Sequence, residues 1–389
     1  MDNRRIPRSR YIELFFFIPL IVYLISVFFV NNSMLNLDPL FIQLSGRIQS
    51  MFILFCMLFG VIFNKYTKKE ILILVILCIA LFLVRIFADH SPLLDLLIIV
   101  NAARYVSLDK LLKVYLVVLS ICSLMIVILN HFSIISDRVV FRDGIARLSL
   151  GFWHPNTLGI VLVNIFVLSL YLYKRKTVFF LIFFNILSIL SYQVTGSRTT
   201  LLLIFLISIV SVCQMVLNER FYKFLKSKYL IIFVFITCLT FSIISASLYL
   251  NGNEMMIRLS DLVSNRIMLG ARFLDDYGIS FFGDKVEYSS PNSLTQSVIG
   301  FSYAVLDNIY LKYIINYGLV SILILGCYLF MVSNKLQGEK RLSWNIYFSI
   351  FLIYGLSEQS VFTWTTNFFM LFGVILFKST TNFDRENFE

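Results

Sequence analysis

The stretch "ILILVILCIALFLVRIF", residues 71–87, holds a single charged side chain, Arg85. Wound as a helix at ~1.5 Å per residue, it reaches across most of the ~30 Å hydrocarbon core of a bilayer. Lipid offers no water to backbone N–H and C=O groups, so such a run has to pair them within itself as a helix. Similar runs recur along the whole chain. The protein has 389 residues, 59% hydrophobic and only 14% charged, with a mean hydropathy of +0.85. Soluble proteins carry about 25% charged residues. The sequence therefore reads as an all-α polytopic membrane protein, one integral membrane domain over residues 1–389.

About twelve transmembrane helices are expected, at 11–30, 47–63, 71–87, 91–106, 113–130, 156–173, 177–193, 199–217, 229–249, 307–331, 343–357 and 361–377. The fourth and eleventh are short, so ten or eleven crossings also fit. RRIPRSR ahead of the first run looks like a signal peptide. It lacks a small-x-small cleavage site and reads as preceding a retained helix.

The net charge of +11 lies mainly in short loops, with no basic stripe interleaved with aromatics of the kind that binds nucleic acid. With both termini cytoplasmic, most of the 33 Lys and Arg fall inside, including Lys174-Arg175-Lys176. That agrees with the positive-inside rule. The external segments are then 31–46, 88–90, 131–155, 194–198, 250–306 and 358–360. Residues 250–306 are too long and too mixed in polarity for a passive connection. They are expected to be partly helical and to cover the active site. The six cysteines lie in expected spans without a CxxC pair and read as packing residues.

Against this orientation, Arg138, Arg142, Arg147, Arg198, Arg258, Arg266, Arg272 and Lys285 stand on the external side. All but one are arginine, whose planar fork grips phosphate oxygens bidentately. An anionic ligand reached from the lipid, such as a lipid phosphate or pyrophosphate, would suit them. The plainer reading is a set of solvated loop charges paired with Asp137, Asp143, Asp261, Asp275 or Asp276.

In "VTGSRTTLL" (194–202) Arg198 opens an apolar helix, where free N–H groups and the macrodipole favour anions, and Ser197 and Thr199 complete a small cradle. "RLSLGFWHPNTLG" (147–159) repeats the design: Arg147 and Ser149, then His154-Pro155-Asn156 at the mouth of a helix. Phe152 and Trp153 suit the membrane interface. His154 could be a general base or a phosphate donor, or simply an interfacial histidine. "VLDNIYLKYIINYGL" (305–319) puts Asp307, Asn308, Tyr310 and Tyr317 at the external end of a span, with Asp307 and Tyr310 expected on one helical face. "GLSEQSVFTW" (355–364) holds Glu358 in a tight apolar turn, with an external arginine its natural partner. Asp307 and Glu358 could equally be helix caps. No His, Cys or acidic spacing suggests a metal, and nucleotide-binding motifs and an external DxD are missing.

Arg147 with GFWHPNTLG, then TGSRTTLL, a long external loop and LDNIYL, in that order, resemble the Wzy-type polymerases of O-antigen and capsular polysaccharide and the related O-antigen ligases. The HPN and SRT pair is the most specific part. The resemblance implies a bacterial inner-membrane glycosyltransferase of the GT-C architecture. It would transfer glycan from an undecaprenyl-pyrophosphate donor to the non-reducing end of an acceptor repeat unit, at the external face, without a metal or other cofactor. It implies that Arg147 and Arg198, with Arg266 or Arg272, hold the pyrophosphate beside Ser197, Thr199, Asn156, Asn308 and Tyr310. His154 is the first choice for the base, followed by Glu358 and Asp307. Partners implied are the lipid-linked donor and acceptor, membrane lipid, and a chain-length regulator and flippase of one capsule or exopolysaccharide pathway. Two other readings stand: a ligase making a single transfer to a different acceptor, and a transporter of lipid-linked oligosaccharide without chemistry. Against the transporter, only Asp95 lies clearly inside a span, and no symmetry relates the halves.

Overall fold

A computed structural model describes residues 8–35, 39–142, 145–216, 227–288, 305–338 and 344–377. Asp143, most of the NERFYKFLKSK and GEKR loops, residues 289–304 of the long external segment and the carboxy-terminal tail lie outside the described residues.

In chain order the helices are α1 (Arg8–Ser26), closed by a π turn over Val27–Asn31, α2 (Pro39–Phe63), α3 (Lys68–Ala88), α4 (Pro92–Ala102) and α5 (Leu108–His131). A hairpin of β1 (Val139–Arg142) and β2 (Ile145–Leu148) follows. Then come α6 (Pro155–Leu172), α7 (Thr177–Thr195), α8 (Arg198–Val216), α9 (Leu230–Leu250), α10 (Glu254–Leu262), α11 (Arg266–Tyr277), α12 (Ile309–Asn316), α13 (Gly318–Gly338) and α14 (Trp344–Tyr354). A 3-10 run over Phe368–Phe377 ends the described chain. The fold is nearly all helical, and among the described residues nine helical segments are long and apolar enough to cross a membrane. This is a multi-pass membrane protein.

Nine rather than twelve has local causes. The span expected at 91–106 shortens to the eleven residues of α4, which pass into a 3-10 turn at Ala103–Tyr105. The span at 343–357 stops at Tyr354, again eleven residues. At 361–377, residues 361–367 are irregular and only Phe368–Phe377 winds, as a 3-10 run. The span at 307–331 breaks at Gly318, whose φ is +76°. A Cβ there would come within 2.4–2.6 Å of backbone atoms of Phe281 and Gly283. The segment carrying them crosses the break, and Leu319 and Val320 donate their N–H groups to Ser280 and Phe281 carbonyls at 3.0 and 3.1 Å. First-turn N–H groups of a helix have no partner in the helix itself, and here the long loop supplies the acceptors.

The described residues form two compact units. The first comprises the described residues within 8–64, 98–216 and 371–377. Its centre is α6, apolar on every side and buried over most of its length, as expected for a helix enclosed by neighbours rather than facing lipid. Helices α5, α7 and α8 pack on it. Gly159 lets α8 approach closely: a Cβ there would meet the Thr200 hydroxyl at 1.9 Å. The second unit comprises the described residues within 65–97 and 227–370. It packs α11, α12, α13 and α14 on α9, around an aromatic cluster of Phe235, Tyr310, Tyr313 and Phe362 with ring centroids 5.1–6.1 Å apart.

Candidate functional site

In the first unit, the hairpin delivers Arg147. β1 and β2 pair antiparallel with Val140 opposite Arg147. Asp137 fixes the hairpin's base by accepting both the N–H and the hydroxyl of Ser149, each at 2.8 Å. The chain then turns through Gly151 (φ +83°) into α6. Phe152 is fully buried, unlike the interfacial position expected for it, because a backbone bridge to Ser33 draws it inward. Trp153 remains half exposed, with the Arg138 guanidinium 4.9 Å from its ring centroid.

His154 is the N-cap of α6. Its Nδ1 accepts the Asn156 N–H at 3.1 Å, and Pro155 takes the first helical position, where a missing N–H costs nothing. An acceptor Nδ1 leaves the neutral ring's proton on Nε2, which is then a donor. Arg147 is buried, with Nε donating to the Thr195 carbonyl at 2.6 Å and Nη2 to Asn156 Oδ1 at 3.1 Å. Its stem lies against Gly196, which takes φ +60° and where a Cβ would meet Arg147 atoms at 3.0–3.2 Å. The Ser197 hydroxyl, also buried, bonds Thr200 at 2.8 Å and Asn156 Oδ1 at 3.3 Å. Arg147, Asn156, Ser197 and Thr200 thus form one network joining the hairpin, the start of α6 and the start of α8.

Arg198 rises from this platform as the first residue of α8. Its side chain is exposed and makes no hydrogen bond or ion pair with a described residue. Thr199 beside it is half-buried. The outcome is a buried arginine tethered to Thr195 and, three residues on in the chain, an open one at a helix N-terminus whose N–H groups add partial positive charge.

The second unit gathers a separate set. Arg266 begins α11, and its Nε stands 3.3 Å from Asp307 Oδ2. Asp307 does not share a helical face with Tyr310, because it precedes the α12 cap. Asn308 is that cap, accepting the Tyr310 and Leu311 N–H groups and bonding Ser242 at 2.9 Å. Tyr310 is sealed in the core, its hydroxyl donating to the Leu352 carbonyl at 2.7 Å. Arg272, two residues beyond Gly270 on α11, pairs with Asp276 at 3.7 Å.

Glu358 sits in the irregular segment after α14, outside the nine candidate spans. Its oxygen accepts the Ser360 hydroxyl at 3.0 Å. Surrounding protein and the nearby Asp307 carboxylate push its carboxyl up to about 6, with Ser360 and Arg266 opposing. Burial likewise raises Asp307, and Arg266 pulls against it. The sequence reading missed Lys312. It donates to Gln359 Oε1 at 2.7 Å and lies 5.6 Å from the centroid of the Tyr288 ring. Burial lowers its ammonium, while Glu358 and Asp307 hold it up. The signal was available as a lysine just inside an apolar run. Among the described residues, no group of three or more His, Cys, Asp or Glu side chains could hold a metal ion.

Compared with known proteins, the chain matches no family model, no curated protein and no solved structure.

Proposed function

We propose that the protein is a membrane glycosyltransferase that polymerises lipid-linked oligosaccharide repeat units, using an undecaprenyl-pyrophosphate donor, in the manner of the Wzy-type polymerases its motifs resemble. The observation that carries this reading is Arg198. Arginines near a membrane usually find a carboxylate or turn to water as isolated loop charges. This one is exposed at the N-terminus of a candidate spanning helix, three residues after the Thr195 carbonyl that holds the buried Arg147. Such a pair suits a diphosphate: Arg147 fixes the floor and supplies charge, and Arg198 closes on the phosphate oxygens.

In the reaction, the bond between the donor sugar's anomeric carbon and the pyrophosphate breaks as an acceptor hydroxyl attacks that carbon. The arginines offset the charge growing on the departing pyrophosphate. The acceptor hydroxyl loses a proton. The departing pyrophosphate takes it up, since His154 Nδ1 is already occupied as a helix cap. Asn308 and Tyr310 hold α12 in place in this account rather than touching substrate. The reaction belongs at the external face of the bacterial inner membrane.

Binding tests the phosphate assignment directly. Undecaprenyl pyrophosphate is added to protein in detergent, and retention of the lipid is read by native mass spectrometry. Wild type should retain one lipid and Arg198→Ala should lose at least tenfold in affinity. Equal retention by both proteins removes Arg198 from the phosphate site.

A further inference from the structure

Helix α10 has three kinds of face. Met256 and Ser260 are buried, and the Ser260 hydroxyl accepts the Met268 N–H of α11 at 3.1 Å. Glu254 and Asp261, seven residues apart, share a fully polar edge. Between these lies a stripe of Met255, Leu259 and Leu262, with Arg258 beside it in an open ion pair with Glu254 at 3.8 Å. Met255 is 71% and Leu262 82% exposed, among the most open apolar side chains of the molecule, and Arg258 is 82% exposed.

We propose that this stripe is seated in the lipid surface at the end of α9, with Met255, Leu259 and Leu262 in the acyl boundary and Arg258 on lipid phosphates. Chain connectivity argues for lipid as the occupant. α9 is a candidate span ending at Leu250, and only Asn251, Gly252 and Asn253 separate it from α10. Those residues fold back: the Gly252 and Asn253 N–H groups bond the Tyr249 and Leu248 carbonyls at 3.0 Å each. α10 therefore starts at the level of the last turn of a spanning helix and cannot rise clear of the headgroups. An amphipathic helix in that position, apolar on one side with a flanking arginine, lies in the interface plane.

The seat has a consequence for the second unit. α10 leads through Ser264 and Asn265, both at positive φ, directly to Arg266 at the start of α11. A lipid-seated α10 fixes the height at which the Arg266–Asp307 pair stands above the bilayer. This inference does not depend on the proposed reaction.

The test places tryptophan, one at a time, at three exposed positions of the full chain in phosphatidylcholine vesicles whose acyl chains carry bromine. Native emission from Trp153, Trp344 and Trp364 is subtracted using wild type. Leu262→Trp should be quenched at least threefold more than Asp261→Trp, and Met255→Trp should follow Leu262→Trp. Equal quenching at 261 and 262, or none at either, overturns the proposal. Tryptophan at 262 that neither bromolipid nor aqueous iodide quenches also overturns it, since protein rather than lipid would then cover the stripe.

Discussion

Arginine 198 and arginine 147 look alike in the sequence, each just ahead of an apolar helix, and the structure gives them opposite surroundings. Arg147 is locked by Thr195 and Asn156, whereas Arg198 is open. On the proposed reaction, Arg198→Ala should lower chain extension by about 10²-fold or more, the usual loss when one transition-state donor is removed. Arg198→Lys should recover little of it, since an ammonium cannot reproduce the fork. Glu358 makes a different prediction. Its carboxyl is raised to about 6 in the fold, so stability should fall as pH rises through about 6, and Glu358→Gln should remove that fall, read as thermal unfolding in detergent. The residue chemistry of the first unit was legible because HPN and SRT flank helix starts, where polar side chains have few local uses. Lys312 was passed over, although a lysine just inside an apolar run is itself a signal.

Elements meet through glycines whose roles differ. At Gly159 the obstacle to a Cβ is the Thr200 side chain, 1.9 Å away. Gly159→Ala should therefore destabilise the α6–α8 contact by about 1–3 kcal/mol, and adding Thr200→Ala should restore much of the loss, read as thermal unfolding in detergent. At Gly318 the obstacle is backbone of Phe281 and Gly283, and φ is +76°. No trimming of a side chain can relieve Gly318→Ala. It should lower stability by more than about 1 kcal/mol and resist rescue by neighbouring substitutions. These two sites also explain where the sequence reading of the elements failed. Hydropathy runs unbroken through 307–331, so it joined α12 to α13. It could not register that the loop at residues 280–283 inserts its carbonyls where the helix restarts. Residues 361–367 misled it likewise: their apolar members Val361, Phe362 and Trp364 are buried against protein, which hydropathy scores the same as burial in lipid.

At the scale of the whole molecule, composition alone established a multi-pass helical membrane protein, because no soluble chain leaves this much apolar surface uncovered. Phe15, Leu72 and Phe233, on three different candidate spans, are each more than half exposed. Orientation rests on the distribution of Lys and Arg, and it predicts accessibility. A cysteine at Asn253 should react with an impermeant maleimide in intact cells, and one at Arg175 only after permeabilisation. The reverse pattern would put both candidate clusters on the cytoplasmic side and end the proposed reaction. The proposed function rests on an order of short motifs, and the sequence could not separate Arg147, tethered at the start of α6 and α8, from the exposed Arg198.

The central claim is chain extension at the expense of a lipid pyrophosphate. The direct measurement uses purified protein in lipid with the cognate undecaprenyl-pyrophosphate repeat unit, without nucleotide, the products separated on a gel beside Arg198→Ala. The account predicts a ladder of repeats from wild type and none from the variant. Unchanged lipid-linked substrate in the wild-type lane, or an equal ladder in both lanes, would contradict it.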